Sequence, residues 1–342
     1  MKYLLSIAFI LNSCLVYAQW TNIGPGGEAL SGVCFSSATN GWVCGAKGAL
    51  FHTRDGGATW PSIQPGFQTT GPRSLLVSVA VLNQYDVLVL AQQPDSLLPT
   101  QIFYSQTNGY SFKPAFDRSS ATSEFAQMSF HTYKLGLLVG AGGAFRYSRD
   151  GGFGWDQVPS GTLNDLWAGD SPDGITYYLV GSKGTLRKGS RFEPVSKALN
   201  SGTFARLTGV WFVDVNQGYV VGDGGTARRT TDGGASWTPM PVQTTVNLNA
   251  VRFLDANTGF IVGDLGTLLL TTDGARAGSP KPVTPSKRSR PSAPPMTGST
   301  RGSWAATARC FGAGRSCRWP AAARRRGCSG RPIRIRLPPR SR

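Results

Sequence analysis

Gly218-Tyr219-Val220-Val221-Gly222-Asp223-Gly224-Gly225-Thr226, running into Thr230-Thr231-Asp232-Gly233-Gly234-Ala235-Ser236-Trp237, is the stretch that decides the fold. An apolar run ends on a glycine, a second glycine follows three residues later, and seven residues beyond that stands the Asp of an Asp-Gly step closing on Trp. The same spacing returns at Gly45/Gly48, Gly140/Gly143, Gly181/Gly184 and Gly263/Gly266, with Asp55, Asp150, Arg191 and Asp273 in the place of Asp232. Trp60 and Trp155 stand where Trp237 stands. The aspartates Asp55, Asp150, Asp232 and Asp273 are separated by 95, 82 and 41 residues. The middle interval is two repeats of 41. The first conceals one more copy, at Ser105-Gln106-Thr107-Asn108-Gly109-Tyr110-Ser111-Phe112, in which Asn108 is expected to replace the Asp and Phe112 the Trp. Self-similarity at about 40 residues marks a repeat architecture.

Each copy holds short apolar runs separated by turn residues. Leu248 to Phe253 is followed by the polar turn 255–259, then Phe260 to Gly263, then Thr267 to Thr271, then the Asp-Gly turn. A fourth run starts at the Trp, as in Trp237-Thr238-Pro239-Met240. Four such runs read as one antiparallel sheet, and no stretch has a helical period. The expected fold is therefore all-β, a β-propeller of four-stranded blades, with six repeats visible and six or seven blades. Glycine supplies positive φ at tight turns, Asp caps turn N–H groups, and Trp buries a large ring between sheets. Structure alone thus accounts for Asp55, Asp150, Asp232, Asp273, Trp60, Trp155 and Trp237.

Ser/Thr-x-Asp-x-Gly-x-x-Trp is the Asp-box, matched at Thr53 to Trp60, Ser148 to Trp155 and Thr230 to Trp237. With the preceding glycine grammar over residues 20 to 274, the chain resembles the photosystem II stability/assembly factors. That resemblance implies a seven-bladed, non-enzymatic propeller that binds a partner through a basic surface. Asp-boxes also occur in sialidases and other glycoside hydrolases, and the alternatives are such an enzyme or a cell-surface adhesion module. Trp20-Thr21-Asn22-Ile23 looks like an outer strand without a preceding box, and is expected to complete the final blade.

The termini differ from the repeats. Residues 1–18, with Lys2, an apolar core from Leu4 to Leu11 and Val16-Tyr17-Ala18 before Gln19, read as a secretory signal. Export to the periplasm, cell surface or medium follows from it, with no transmembrane segment after its removal. The propeller is expected over 19–274 and a basic tail over 275–342. The tail holds 17 Lys and Arg and no Asp or Glu, leaving the first 274 residues with 18 basic and 18 acidic side chains. The chain's net charge of +17 is thus the tail's, and nucleic acid is not an expected partner. The tail breaks the last box just after Gly274. One codon choice for Ala275 to Ser279, read two nucleotides on, gives Ala-Ser-Trp-Glu, which suggests a frame-shifted end.

Chemistry is sparse. The Arg-Ile-Pro element of sialidases is absent, and Glu occurs only at positions 28, 124 and 193. A glycosidase needs two carboxylates flanking the scissile bond. Asp165, Asp170, Asp214, Asp223 and Asp264 lie outside the boxes, but several recur at equivalent turn positions, which argues for turn chemistry. His52 and His131 have no ligand spacing, and of six cysteines only Cys34 and Cys44 lie in the repeats. No catalytic residue, metal site or cofactor is expected. Arg146, Arg187 and Arg228 each stand three residues after the second glycine of consecutive repeats. They are the candidate partner-binding residues, suited to an acidic peptide segment or chain terminus of a protein partner. A monomer is expected.

Overall fold

A computed structural model describes residues 23–66, 75–92, 100–117, 124–193, 195–274 and 281–282. They form six sheets in chain order, each built on an antiparallel meander. Blade 1 is Leu30–Phe35, Gly41–Gly45 and Leu50–Thr53; blade 2 is Leu75–Val81, Val87–Gln92, Thr100–Ser105 and Lys113–Pro114. Blade 3 is Phe125–Phe130, Gly136–Gly140, Phe145–Ser148 and Gly154–Gln157; blade 4 is Leu166–Asp170, Thr176–Gly181, Leu186–Ser190 and Lys197–Ala198. Blade 5 is Leu207–Phe212, Gly218–Gly222, Ala227–Thr230 and Thr238–Pro239; blade 6 is Leu248–Phe253, Gly259–Gly263, Leu268–Thr271 and Lys281–Pro282. Among the described residues the fold is an all-β propeller of six blades, the lower of the two expected numbers, without the seventh that the resemblance implies. Helix among the described residues is limited to four single 3₁₀ turns between second and third strands. Among the described residues no helix is long and apolar enough to cross a membrane.

Adjacent blades share their cores. Trp42, Cys44 and Leu50 of blade 1 pack with Leu76, Val89 and Phe103 of blade 2. Corresponding clusters join blades 2 and 3, 3 and 4, 4 and 5, and 5 and 6. Second-strand side chains alternate, because successive residues of a strand point to opposite faces. Tyr219 and Val221 enter the core shared with blade 6, and Val220 the core shared with blade 4. Polar pins tie the innermost strands together: Ser31 Oγ donates to Leu76 O, Ser78 Oγ to Met128 O at 3.4 Å, and Thr208 Oγ1 to Leu248 O at 2.5 Å.

The two repeated glycines have different causes. Gly184 has φ +66°, the left-handed region that glycine enters without a Cβ penalty. Gly181 is extended, with φ −165°. It is glycine because a Cβ there would lie 2.1 Å from the Asp165 carbonyl. Positive φ, expected for the pair, belongs only to the second member.

Several expectations are refined. In the degenerate box of blade 2, Thr107 rather than Asn108 does the work of the Asp. Thr107 Oγ1 accepts from Ser111 N at 3.0 Å, as Asp55 Oδ1 accepts from Thr59 N at 2.9 Å. Asn108 instead takes the left-handed place of Gly56, at φ +52°. Asn and Asp tolerate that region better than most residues, so the motif is displaced by one position. The sixth sheet takes its outer strand from Lys281–Pro282, within the segment read as tail. Trp20, Thr21 and Asn22 lie outside the described residues, and Ile23 meets blade 1, where its carbonyl accepts from Trp60 Nε1. The signal segment and most of the tail are also outside. Cys34 and Cys44 are both buried and not joined by a disulfide, in the one core between blades 1 and 2. Blade 3 also gains an unexpected parallel strand, Phe116–Asp117, against Gly154–Gln157.

Candidate partner-binding face

The propeller has two unlike faces. On one, Asp-boxes join third to outer strands. Thr230 Oγ1 donates to Asp232 Oδ1 at 2.7 Å, and Asp232 accepts Ser236 N at 2.9 Å and Ser236 Oγ at 2.5 Å. Trp237 Nε1 donates back to Gly234 O at 3.1 Å. In blades 1 and 3, Asp55 and Asp150 likewise accept from the hydroxyl two residues before and the amide four residues after, though Trp60 Nε1 donates to Ile23 O; in blade 6 Thr271 Oγ1 donates to Asp273 Oδ1 at 2.8 Å. Bonds from the Thr59 and Ser236 hydroxyls and amides hold the Asp55 and Asp232 carboxyls well below the usual carboxylate range. Each box is a closed turn. The box aspartates and tryptophans are built into the fold.

The acidic candidates outside the boxes are also occupied. Asp165 Oδ1 accepts from Gly142 N at 2.9 Å, and Asp170 Oδ2 from Phe212 N at 2.8 Å. Asp214 Oδ1 accepts from Asn216 N at 2.8 Å and Gln217 N at 2.7 Å. Asp223 pairs with Arg206 at 2.9 Å, and Asp264 accepts from Asn247 at 3.1 Å and Asn249 at 2.9 Å. These bonds spread the five over different turns and blade junctions. Among the described residues no group of His, Cys, Asp and Glu is arranged to hold a metal. His52, in blade 1, is buried and stacked on Trp42 at 4.1 Å.

The opposite face carries the glycine turns and the linkers that lead from one blade into the next. A cavity of about 520 Å³ lies there, lined by residues 141–145 and 157–163. Its walls include Ala144, Phe145, Val158 and Pro159, with Ser160 and Thr162 between them. Ser160 Oγ, which donates to Gly143 O at 2.6 Å, holds turn and linker together.

The candidate arginines reach this face differently. Each shares a sheet side with its cross-strand neighbour: Arg146 with Leu138, Arg187 with Leu179, Arg228 with Val220. That directs all three into the junction with the preceding blade. Arg146 is 2% exposed and lies over the Phe125 ring at 4.9 Å, and desolvation lowers its pKa. Arg187 Nε donates to Ser196 Oγ at 3.1 Å and its Nη2 to Ser196 O; its guanidinium abuts Gly161, a wall residue of the cavity. Arg228 Nη2 donates to Gly202 O at 2.5 Å, one repeat further on, and Nη1 to Trp237 O at 3.4 Å. Arg187 and Arg228 are only half-buried. The structure therefore brings these two to equivalent linkers and puts Arg146 in the core.

Residues 193–285 match the sequence model of a family described as photosynthesis system II assembly factor YCF48. The chain is an Asp-box propeller whose last repeats are similar to those of photosystem II assembly factors. The match covers the outer part of blade 4 with blades 5 and 6, the blades in which the repeat is most regular. Among solved structures, "YCF48 bound to D1 peptide" is similar at 19% identity and TM-score 0.64, over 77% of this chain and 84% of that one. A GH74 enzyme of Niastella koreensis is similar at 14% identity and TM-score 0.55, over 74% of this chain and 46% of that one. At these identities both likenesses concern the fold. A search of curated protein sequences finds no match.

Sequence reasoning missed three features of this propeller. Leu163, Phe204 and Leu265 are 90%, 93% and 83% exposed. All three stand on the linker face. A signal for them existed: Leu163 and Phe204 are 41 residues apart within otherwise polar linkers.

Proposed function

We propose that this chain is an exported, non-catalytic scaffold whose linker face binds an acidic segment of a protein partner. The observation that carries the reading is the pair Arg187 and Arg228. They meet equivalent linkers, Arg187 held by Ser196 against Gly161 beside the cavity and Arg228 bonded to Gly202. A guanidinium held by its own backbone neighbours loses little entropy on binding, and its remaining N–H groups suit a carboxylate. The resemblance of the repeat to assembly factors supports a protein partner, and the YCF48 structure of similar fold holds a D1 peptide. Occupation of every acidic candidate by structural hydrogen bonds supports the non-catalytic reading. Export rests on residues 1–18.

The test is fluorescence anisotropy of a labelled dodecapeptide, Glu-Ser-Ser repeated four times, titrated with the full chain at low salt. Binding that weakens at least tenfold in Arg187→Ala/Arg228→Ala, with unchanged melting, is the expected result. Equal binding by both proteins would remove the arginines from the site. Amino-terminal sequencing of secreted protein is expected to begin at Gln19.

A further inference from the structure

Leu163, Phe204 and Leu265 pose a question the scaffold reading leaves open. Each is a large apolar side chain with almost all of its surface in water, and no other large apolar residue among those described is as exposed. Isolated exposed apolar residues are ordinary, but three on one face of a propeller form a pattern. Leu265 adds a second cost. It occupies the tip of its glycine turn at φ +57°, where blades 3 and 5 have Gly142 and Gly224. A branched side chain in that region is strained by about 1 kcal/mol or more, and such strain is characteristic of functional positions.

A series of backbone hydrogen bonds and one ion pair connects the segments that carry these side chains. From Leu163 the linker reaches Asp165, whose carbonyl accepts from Ser182 N at 2.9 Å in the next turn. The tip of that turn is Lys183, at φ +57°. Its neighbour Gly184 donates to Ala205 O at 2.9 Å, beside Phe204. Lys183 therefore stands between Leu163 and Phe204. Onward, Arg206 and Asp223 pair at 2.9 Å, Gly225 N donates to Val246 O at 2.8 Å, and Asp264 N donates to Asn247 O at 2.9 Å, leading to Leu265. The order along the face is apolar, cation, apolar, ion pair, apolar. The cavity opens beside Leu163 at one end.

We infer that this arc selects peptides in which apolar side chains alternate with acidic ones. The inference rests on the scaffold reading and specifies its ligand. Apolar residues of the peptide cover Leu163 and Phe204, and one enters the cavity between Ala144, Val158 and Pro159. A carboxylate between them meets Lys183, while Arg187 receives a second. Hydrophobic contacts supply affinity, and the cations fix register and exclude basic sequences.

The experiment compares three labelled dodecapeptides on the full-length chain by anisotropy: Glu-Ser-Leu repeated four times, Glu-Ser-Ser repeated four times, and Gln-Ser-Leu repeated four times. The first is expected to bind at least tenfold more tightly than either control. That advantage is expected to disappear in Leu163→Ser/Phe204→Ser, whose replaced side chains make too little buried contact to alter melting. Equal binding of the first two peptides would overturn the inference and leave the scaffold reading standing. So would a leucine preference that survives in the double variant, because another surface would then be responsible. Binding of none of the peptides would overturn both.

Discussion

The hydroxyl of Tyr178, on the second strand of blade 4, donates to the carbonyl of Gly233 in the Asp-box of blade 5 at 2.8 Å. The same ring stacks on Phe212 at 3.7 Å, and Phe212 meets Trp237 edge-on at 6.0 Å. One side chain thus joins the inner strand and the outer turn of the next blade. Tyr219 repeats the arrangement on Phe253 and Gly274. Replacing Tyr178 by Phe keeps the stack and removes only the hydrogen bond. Gly233 O retains Lys188 Nζ at 2.9 Å, so the expected loss is about 1 kcal/mol. Tyr178→Ala is expected to lose about 3–5 kcal/mol, since a buried aromatic is deleted as well. Urea denaturation of the two variants separates the contributions.

His52 predicts a pH dependence. Burial, and secondarily Arg54, lowers its pKa to about 4, and its Nε2 lies 2.6 Å from Asn40 Oδ1. The unfolded chain binds a proton near pH 6.5 and the folded chain only near pH 4. Between those values the unfolded state holds more protons, so the contribution is complete above pH 6.5 and is lost as pH falls towards 4. Its size is about 3 kcal/mol. Melting midpoints of His52→Gln are expected to fall less over this interval than those of the parent. An identical slope would contradict the assignment.

Leu265→Gly tests the strain at the turn tip. The substitution relieves a left-handed leucine and exposes almost no new core, so it is expected to stabilise the chain by about 1 kcal/mol. If Leu265 serves the arc, the same variant binds the leucine-containing peptide more weakly. Stability and affinity then move in opposite directions.

Gly181→Ala is expected to destabilise by at least about 1–3 kcal/mol, because the added methyl meets the Asp165 carbonyl, a backbone atom that cannot rotate away. Gly142→Ala offers a contrast in the same turn family. Nothing lies within 4 Å of its Cβ position, and only the left-handed φ opposes it. Thermal melts are expected to rank Gly181→Ala as the more damaging.

Much of this architecture was legible because repetition amplifies weak signals. One Asp-Gly step means little, but four in register with paired glycines specify turns, strands and period together. The candidate site was less legible. Sequence spacing puts Arg146, Arg187 and Arg228 in one column but does not say which side of the sheet that column faces. Strand register turned all three towards the preceding blade, and local packing then buried Arg146 alone. Asn108 illustrates another limit. In a degenerate motif, chemical resemblance to Asp suggested one role, while backbone conformation gave that role to Thr107. Contacts such as Tyr178 with Gly233 join residues 55 apart and leave no local trace.

The parallel strand Phe116–Asp117 has a consequence for solubility. It leaves the end of blade 2 and lies along Gly154–Gln157, the outermost strand of blade 3. At four residues, that strand is longer than the two-residue outer strands of blades 2, 4, 5 and 6. A bare strand of this length offers unpaired N–H and C=O groups to any passing chain. The strap occupies part of that edge from within the same molecule, closing a site at which two propellers could otherwise nucleate a shared, aggregating sheet.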